Sequence, residues 1–318
     1  MTKARDLANL GAIASGGLFF RNRIINGNAQ IAQRGVVSLA SVAAVYATDR
    51  FLMGIVSGTG ISANAFKGAY AGSSSGYGHY FSGSMTGGTP YWCQRIEQAN
   101  IADLAGKSIT ISGLLYQDTG SSQTFSLRLT KAASADNWST AGTVIGTNTS
   151  IIVPSAVSTP FSVTFTLGAS DAGTGLMVEV YTTSTVTCTS KYFALTDLQL
   201  EKGAVATPFE FRPIGTELAF CQRYYDANTG EIFGAPANGT TNIQWGGARF
   251  TVEMRAAPTV VLYGNGVANS VRSAGGATVT LNSPSIGASS KGLGYTNVSS
   301  GLTGGTWYQA GYTASAEL

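Results

Sequence analysis

Charge is scarce in this chain of 318 residues: Asp, Glu, Lys and Arg make up 11%, less than half the roughly 25% of an ordinary soluble domain. The 19 Lys and Arg are scattered singly, with no basic run or helix face to neutralise a row of phosphates, which excludes nucleic acid as a partner. No stretch reaches the 18 apolar residues that a membrane-spanning helix requires, so no membrane insertion is expected. Met1 to Phe20 is no convincing signal peptide, since its charges precede only a weakly apolar, glycine-broken run. Cysteine is nearly absent: Cys93, Cys188 and Cys221 lie far apart and are odd in number, which argues against a disulfide framework or a zinc site and for buried free thiols. There is one histidine, His79, and no Gly-x-Ser-x-Gly elbow accompanies it to suggest a serine hydrolase, so no triad through His79 is expected. Asp226 to Glu231 begins like a calcium loop but lacks the later bidentate Glu, and Gly58-Thr59-Gly60 lacks the Lys and helix of a phosphate loop. Neither a metal nor a cofactor is expected.

What is abundant is glycine, 41 residues, with Ser, Thr, Ala and Asn. With 44% hydrophobic residues and a net charge of only +3, the chain should fold rather than stay disordered. The dominant period from about Arg21 onward is two. Phe161, Val163, Phe165 and Leu167 alternate with polar residues, as do Phe125, Leu127 and Leu129, and Ile109 and Ile111. No helical crossover of suitable length intervenes, so these strands predict an all-β fold, an antiparallel β-sandwich or jelly roll. Pro208 and Pro213 bracket a boundary near Ala206 to Gly215, after which Phe250, Val252 and Met254, then Thr278 to Leu281, predict a smaller C-terminal β-sandwich. The expected divisions are a short N-terminal attachment segment over 1–21, a carbohydrate-module-like sandwich over 22–214 and a tip sandwich over 215–318. Within the first, Ala4, Leu7, Ala8 and Leu10 could form one or two helical turns that dock on neighbours.

No residue pattern points to catalysis. A polysaccharide hydrolase needs two facing carboxyl groups, and the sixteen Asp and Glu occur almost all singly; Asp171, Glu179, Asp197 and Glu201 read as solvated or salt-bridged. The chain is therefore expected not to be an enzyme. What stands out is aromatic residues among small polar ones: Tyr77, His79 and Tyr80, then Tyr91 and Trp92, and later Tyr295, Trp307, Tyr308 and Tyr312. Such rings can stack on the apolar face of a sugar while neighbouring amides and hydroxyls bond its hydroxyl groups. The alternative for each ring is a place in the core or a subunit interface. Of these, Tyr77, His79, Tyr80, Trp92, Tyr295, Trp307, Tyr308 and Tyr312 are the glycan-binding candidates.

Several segments resemble those of bacteriophage tail-fibre proteins. Arg23 to Gly35 (RIINGNAQIAQRG), with Asp49, Arg50 and Phe51 after it, is similar to the opening of a β-sandwich module in such fibres. Ile101 to Lys107 (IADLAGK) looks like part of that sandwich, and Gln199 to Gly203 (QLEKG) with Thr207 to Glu210 (TPFE) resembles its closing strand and exit. Cys221 to Tyr225 (CQRYY) and Met254 to Thr259 (MRAAPT) resemble a small C-terminal domain found at fibre ends. The resemblance implies a homotrimer with its C-terminal domains distal, its N-terminal segment on other tail proteins of the virion and its loops on a bacterial surface polysaccharide. It implies assembly in the host cytoplasm and carries no catalytic residue over. The expected departure is at the N-terminus, where neither a long coiled-coil shaft nor a sizeable anchor domain is visible. Arg223, Tyr224 and Tyr225 are expected at the trimer interface. Two other readings stand beside receptor binding: a structural or decorating virion protein without a ligand, and a surface-polysaccharide depolymerase.

Overall fold

The computed structural model describes residues 20–245, 248–298 and 301–318. The helical turns expected within Thr2 to Leu10 lie outside them. Among the described residues the fold is all-β and every strand pair is antiparallel. Among those residues no helix is long and apolar enough to cross a membrane.

Two six-stranded sheets form the first part. One runs in the order Val37–Leu39, Thr59–Ala69, Tyr77–Gly88, Val186–Lys202, Ser108–Gln117, Thr159–Thr166. The other runs Ala43–Tyr46, Leu52–Ile55, Pro90–Ile96, Leu176–Thr182, Gln123–Lys131, Thr143–Val153. The period of two explains the packing: Ile109, Ile111, Phe125, Leu127 and Leu129 are fully buried in one core, with Phe161, Phe165 and Leu167 nearly so. Cys93 and Cys221 are buried free thiols, and Cys188 is a half-buried one.

The opening segment is held by side-chain bonds rather than by strand pairing. Gln30 to Gln33 form no strand; Asn26 takes φ +61° and its side chain knits the loop instead. Its Nδ2 donates to the carbonyls of Ile31 and Asp49, at 2.8 and 3.0 Å, and its Oδ1 accepts from the Ile31 amide. Gly27 lies so close to the Leu198 carbonyl that a Cβ would have no room.

A helix, Ile214–Gln222, leads into the second part. There nine strands form one sheet system around a separate cluster that includes Ile243, Trp245, Leu262, Val271 and Ala310. Phe250 to Met254 is not the strand that its alternation predicts. Phe250 and Met254 are buried, but the Thr251 amide between them donates to the buried Asp226 carboxylate, 2.9 Å away.

The two parts meet through buried charge. Arg50 pairs with Glu317 and lies 3.4 Å above the Tyr224 ring. Arg34 pairs with Glu317 and Asp49 and covers the Tyr225 ring at 3.5 Å, while Glu97 holds Arg223 and Arg255 at 3.1 and 2.9 Å. Arg223, Tyr224 and Tyr225 thus stitch one chain together. Tyr224, 1% exposed, has no surface left for another subunit, which corrects its expected place at the trimer interface.

Candidate functional site

The outer face of the C-terminal sheet gathers exposed aromatic and amide side chains in register. On Trp307–Ser315, Tyr308, Ala310, Tyr312 and Ala314 point into the core, so Trp307 points out. On Tyr225–Asn238, Ala235 and Ala237 are buried and Pro236 and Asn238 exposed; on Asn242–Gln244 only Ile243 is buried. On Gly292–Asn297, Thr296 is buried between Tyr295 and Asn297, both exposed.

Strand pairing aligns these outward residues into two rows. Trp307 pairs with Pro236, and the register that pairs Ala237 with Ile243 sets Pro236 beside Gln244, which pairs with Tyr295. In the next row Asn238, Asn242, Asn297 and Ser285 are successive partners. Trp307 and Tyr295 are 48% and 41% exposed and stand three strands apart, roughly 14 Å at about 4.8 Å per strand. Between them, Gln244 Nε2 donates to Asn242 Oδ1 at 3.1 Å, and Asn242 Nδ2 donates to Asn297 Oδ1.

Glycine lays both rings down. A Cβ at Gly234 or Gly287 would fall within 3.0 Å of the Trp307 or Tyr295 ring respectively, so each ring rests one face on bare backbone and turns the other outward. Tyr91 over Gly54, Tyr80 over Gly68 and Phe161 over Gly113 repeat the arrangement in the first part. Two flat rings flanking a ladder of primary amides can stack on the C–H faces of sugar rings while the amides donate to and accept from their hydroxyls.

The other candidates lie elsewhere. Tyr308 and Tyr312, each 2% exposed, are core residues: the Tyr308 hydroxyl accepts from the Thr303 amide at 3.0 Å, and Tyr312 donates to Asp226 at 2.6 Å. Burial, with the Asp226 carboxylate adding to it, pushes the Tyr312 hydroxyl well above the usual phenol range. His79 and Trp92 are fully buried in the first core. His79 stacks on Phe51 at 3.8 Å and shares a 2.6 Å hydrogen bond with Thr48, and Trp92 Nε1 donates to the His79 carbonyl. Burial lowers the imidazole to about 3. None of these four can meet a ligand, because their surfaces are spent on packing.

Tyr77 is 40% exposed, with the Lys67 ammonium 3.8 Å over its ring. Tyr80, 8% exposed, sits in a cluster with Phe66, Tyr70 and Tyr192, while Tyr116 touches Tyr70; burial raises the Tyr80 hydroxyl to about 12. Four of those rings and every amide of the C-terminal rows escape a linear reading, because only strand register brings them together.

The four carboxylates weighed for hydrolysis all have partners. Glu179 pairs with Arg128, Asp171 with Lys131 at 2.8 Å and Glu201 with Arg21 at 3.2 Å, and Asp197 accepts from Ser74. Among the described residues no three His, Cys, Asp or Glu side chains gather to hold a metal ion.

No family model matches the chain, and no curated protein is similar to it. Among solved structures, the enzymatically active domain of bacteriophage CBA120 tailspike protein 4 is 9% identical at a TM-score of 0.36, over 57% of this chain and 22% of that one. The chain thus spans under a quarter of the length of that tailspike domain. The CBM22-1 xylan-binding domain from Paenibacillus barcinonensis is 11% identical at 0.32, over 56% of this chain and 91% of its own. A CBM61 module solved with β-1,4-galactotriose is 9% identical at 0.34, over 58% of this chain and all of its own.

Proposed function

We propose that this chain is a bacteriophage tail-fibre subunit that binds a bacterial surface polysaccharide through the outer face of its C-terminal sheet. The observation that carries the reading is the row Trp307, Pro236, Gln244, Tyr295, with exposed rings at both ends and amides beside it. The segments that resemble tail fibres, Arg23 to Gly35 and Cys221 to Tyr225 among them, supply the virion setting. In this reading 22–214 carries the tip sandwich, 215–318 makes the contact, and the N-terminal segment attaches to other tail proteins.

The proposed role is adhesion without bond cleavage. Shallow stacking gives weak single sites, so a homotrimer gains hold through several sites on one polymer. The test is binding of soluble polysaccharide from a susceptible host to the purified chain. Trp307→Ala and Tyr295→Ala should each weaken it roughly 3- to 10-fold, the loss of about 1 kcal/mol of stacking, with unchanged melting temperature. Undiminished binding by both variants would move the contact elsewhere, and no binding by the parent chain would favour a structural virion protein.

A further inference from the structure

At its Tyr295 end the proposed glycan face opens into a cavity of about 530 Å³, and the walls change in character. The rows are uncharged amides and rings, but the cavity brings Arg249 and Lys291 beside the Tyr295 ring, with Ser289 and Gly292. Both cations are exposed, and neither forms an ion pair among the described residues. Among the described arginines, Arg21, Arg23, Arg34, Arg50, Arg128, Arg212, Arg223 and Arg255 are ion-paired, and Arg95 and Arg272 are hydrogen-bonded to the Leu318 carbonyl and Gln309.

The backbone at Arg249 and Lys291 is held in place. Arg249 bridges Gly292, the Leu293 amide donates to the Ala248 carbonyl at 2.9 Å and the Phe250 amide to the Lys291 carbonyl at 3.1 Å. This approach requires glycine at 292, where a Cβ would strike the Ala248 carbonyl. Among the described residues one carboxylate bonds to this segment: Glu253 accepts from Ser290 Oγ at 3.0 Å. Two cations against one carboxylate leave the groove net positive.

We infer that the polysaccharide bound here is acidic, with Tyr295 stacking on a sugar ring while Arg249 and Lys291 receive a carboxylate or phosphate carried on that ring or its neighbour. A guanidinium offers a planar fork to either anion and an ammonium a point charge, and exposed pairs of this kind weaken as salt rises. This inference rests on the reading of the C-terminal face as a glycan contact.

Polygalacturonate and the same polymer with its carboxyls methyl-esterified test it, since they share a backbone and differ in charge. Dextran with and without phosphorylation forms the second arm and separates phosphate from carboxylate. In at least one arm the acidic polymer should bind about tenfold more tightly at low salt, and Arg249→Gln with Lys291→Gln should erase that preference. Equal binding, or no binding, of the acidic and neutral polymers in both arms overturns the inference, as does a preference that survives the double substitution. Trp307→Ala should weaken acidic and neutral polymer alike. If it weakens both while the double variant changes nothing, the face stands and its acidic specificity falls; if neither Trp307→Ala nor Tyr295→Ala changes any binding, the face itself falls.

Discussion

At Gly287 a missing side chain does structural work for the neighbour: the Tyr295 ring fills the space that a Cβ would take. Gly287→Ala should force the ring upright, lower stability by about 1–3 kcal/mol through overpacking, and weaken glycan binding as much as Tyr295→Ala does. Denaturant titration together with polymer binding checks both halves. His79 carries a different single-residue consequence. Its imidazole is held neutral by burial down to about 3, against 6.5 in the unfolded chain, so the unfolded state binds the extra proton between those values. The stabilisation is fully present above pH 6.5 and is lost progressively as pH falls toward 3. Melting temperature should drop through that window. His79→Gln, less stable at neutral pH, should show a shallower acid slope, and an unchanged slope would contradict this account of the histidine.

At the scale of strands and helices, what the sequence discloses depends on how local the cause is. Alternation at Phe125, Leu127 and Leu129, or at Ile109 and Ile111, is enforced by a single strand's two faces and is legible directly. The helix Ile214–Gln222 is not: it is short, Pro213 precedes it without a side-chain cap, and its burial is confined to Glu217 and Cys221. Phe250 to Met254 alternates correctly yet is no strand, because Asp226, distant in sequence, takes the Thr251 amide. The same limit applies to the site. Trp307 and Tyr295 are visible as rings among small polar residues, but Pro236, Gln244 and the asparagine row become partners only through pairing across five strands. His79 and Trp92 look like loop aromatics in a glycine-rich stretch and lie instead in the core of long strands. Since Gln244 stands between the rings, Gln244→Ala should weaken polysaccharide binding by roughly 3- to 10-fold, the net worth of about one hydrogen bond, measured by titration calorimetry without change in fold.

At the scale of the whole chain, the junction between the sandwich and the C-terminal part is ionic and buried. Arg50 is 2% exposed, and its counter-charge, Glu317, comes from the far end of the sequence. Glu317→Gln would strand that guanidinium without a full charge opposite and should cost roughly 3–5 kcal/mol. Asp103→Asn, at the half-exposed Arg23 pair, should cost no more than about 1 kcal/mol. Equal effects of the two substitutions in chemical denaturation would show that the junction does not hold the parts together. In the proposed adhesive role, force on a bound C-terminal part would pass along one chain through Arg50, Arg34 and Glu97 to the sandwich.

The proposed contact is between the C-terminal face and a bacterial surface polysaccharide. It is tested most directly by adsorption of the fluorescently labelled chain to a panel of candidate host cells and to matched strains lacking that polysaccharide, with Trp307→Ala, Tyr295→Ala chain alongside. Parent chain should adsorb to polysaccharide-bearing cells of the host alone, and the doubly substituted chain to no cells. Adsorption that persists on cells stripped of the polysaccharide, or that the double substitution leaves intact, would contradict it.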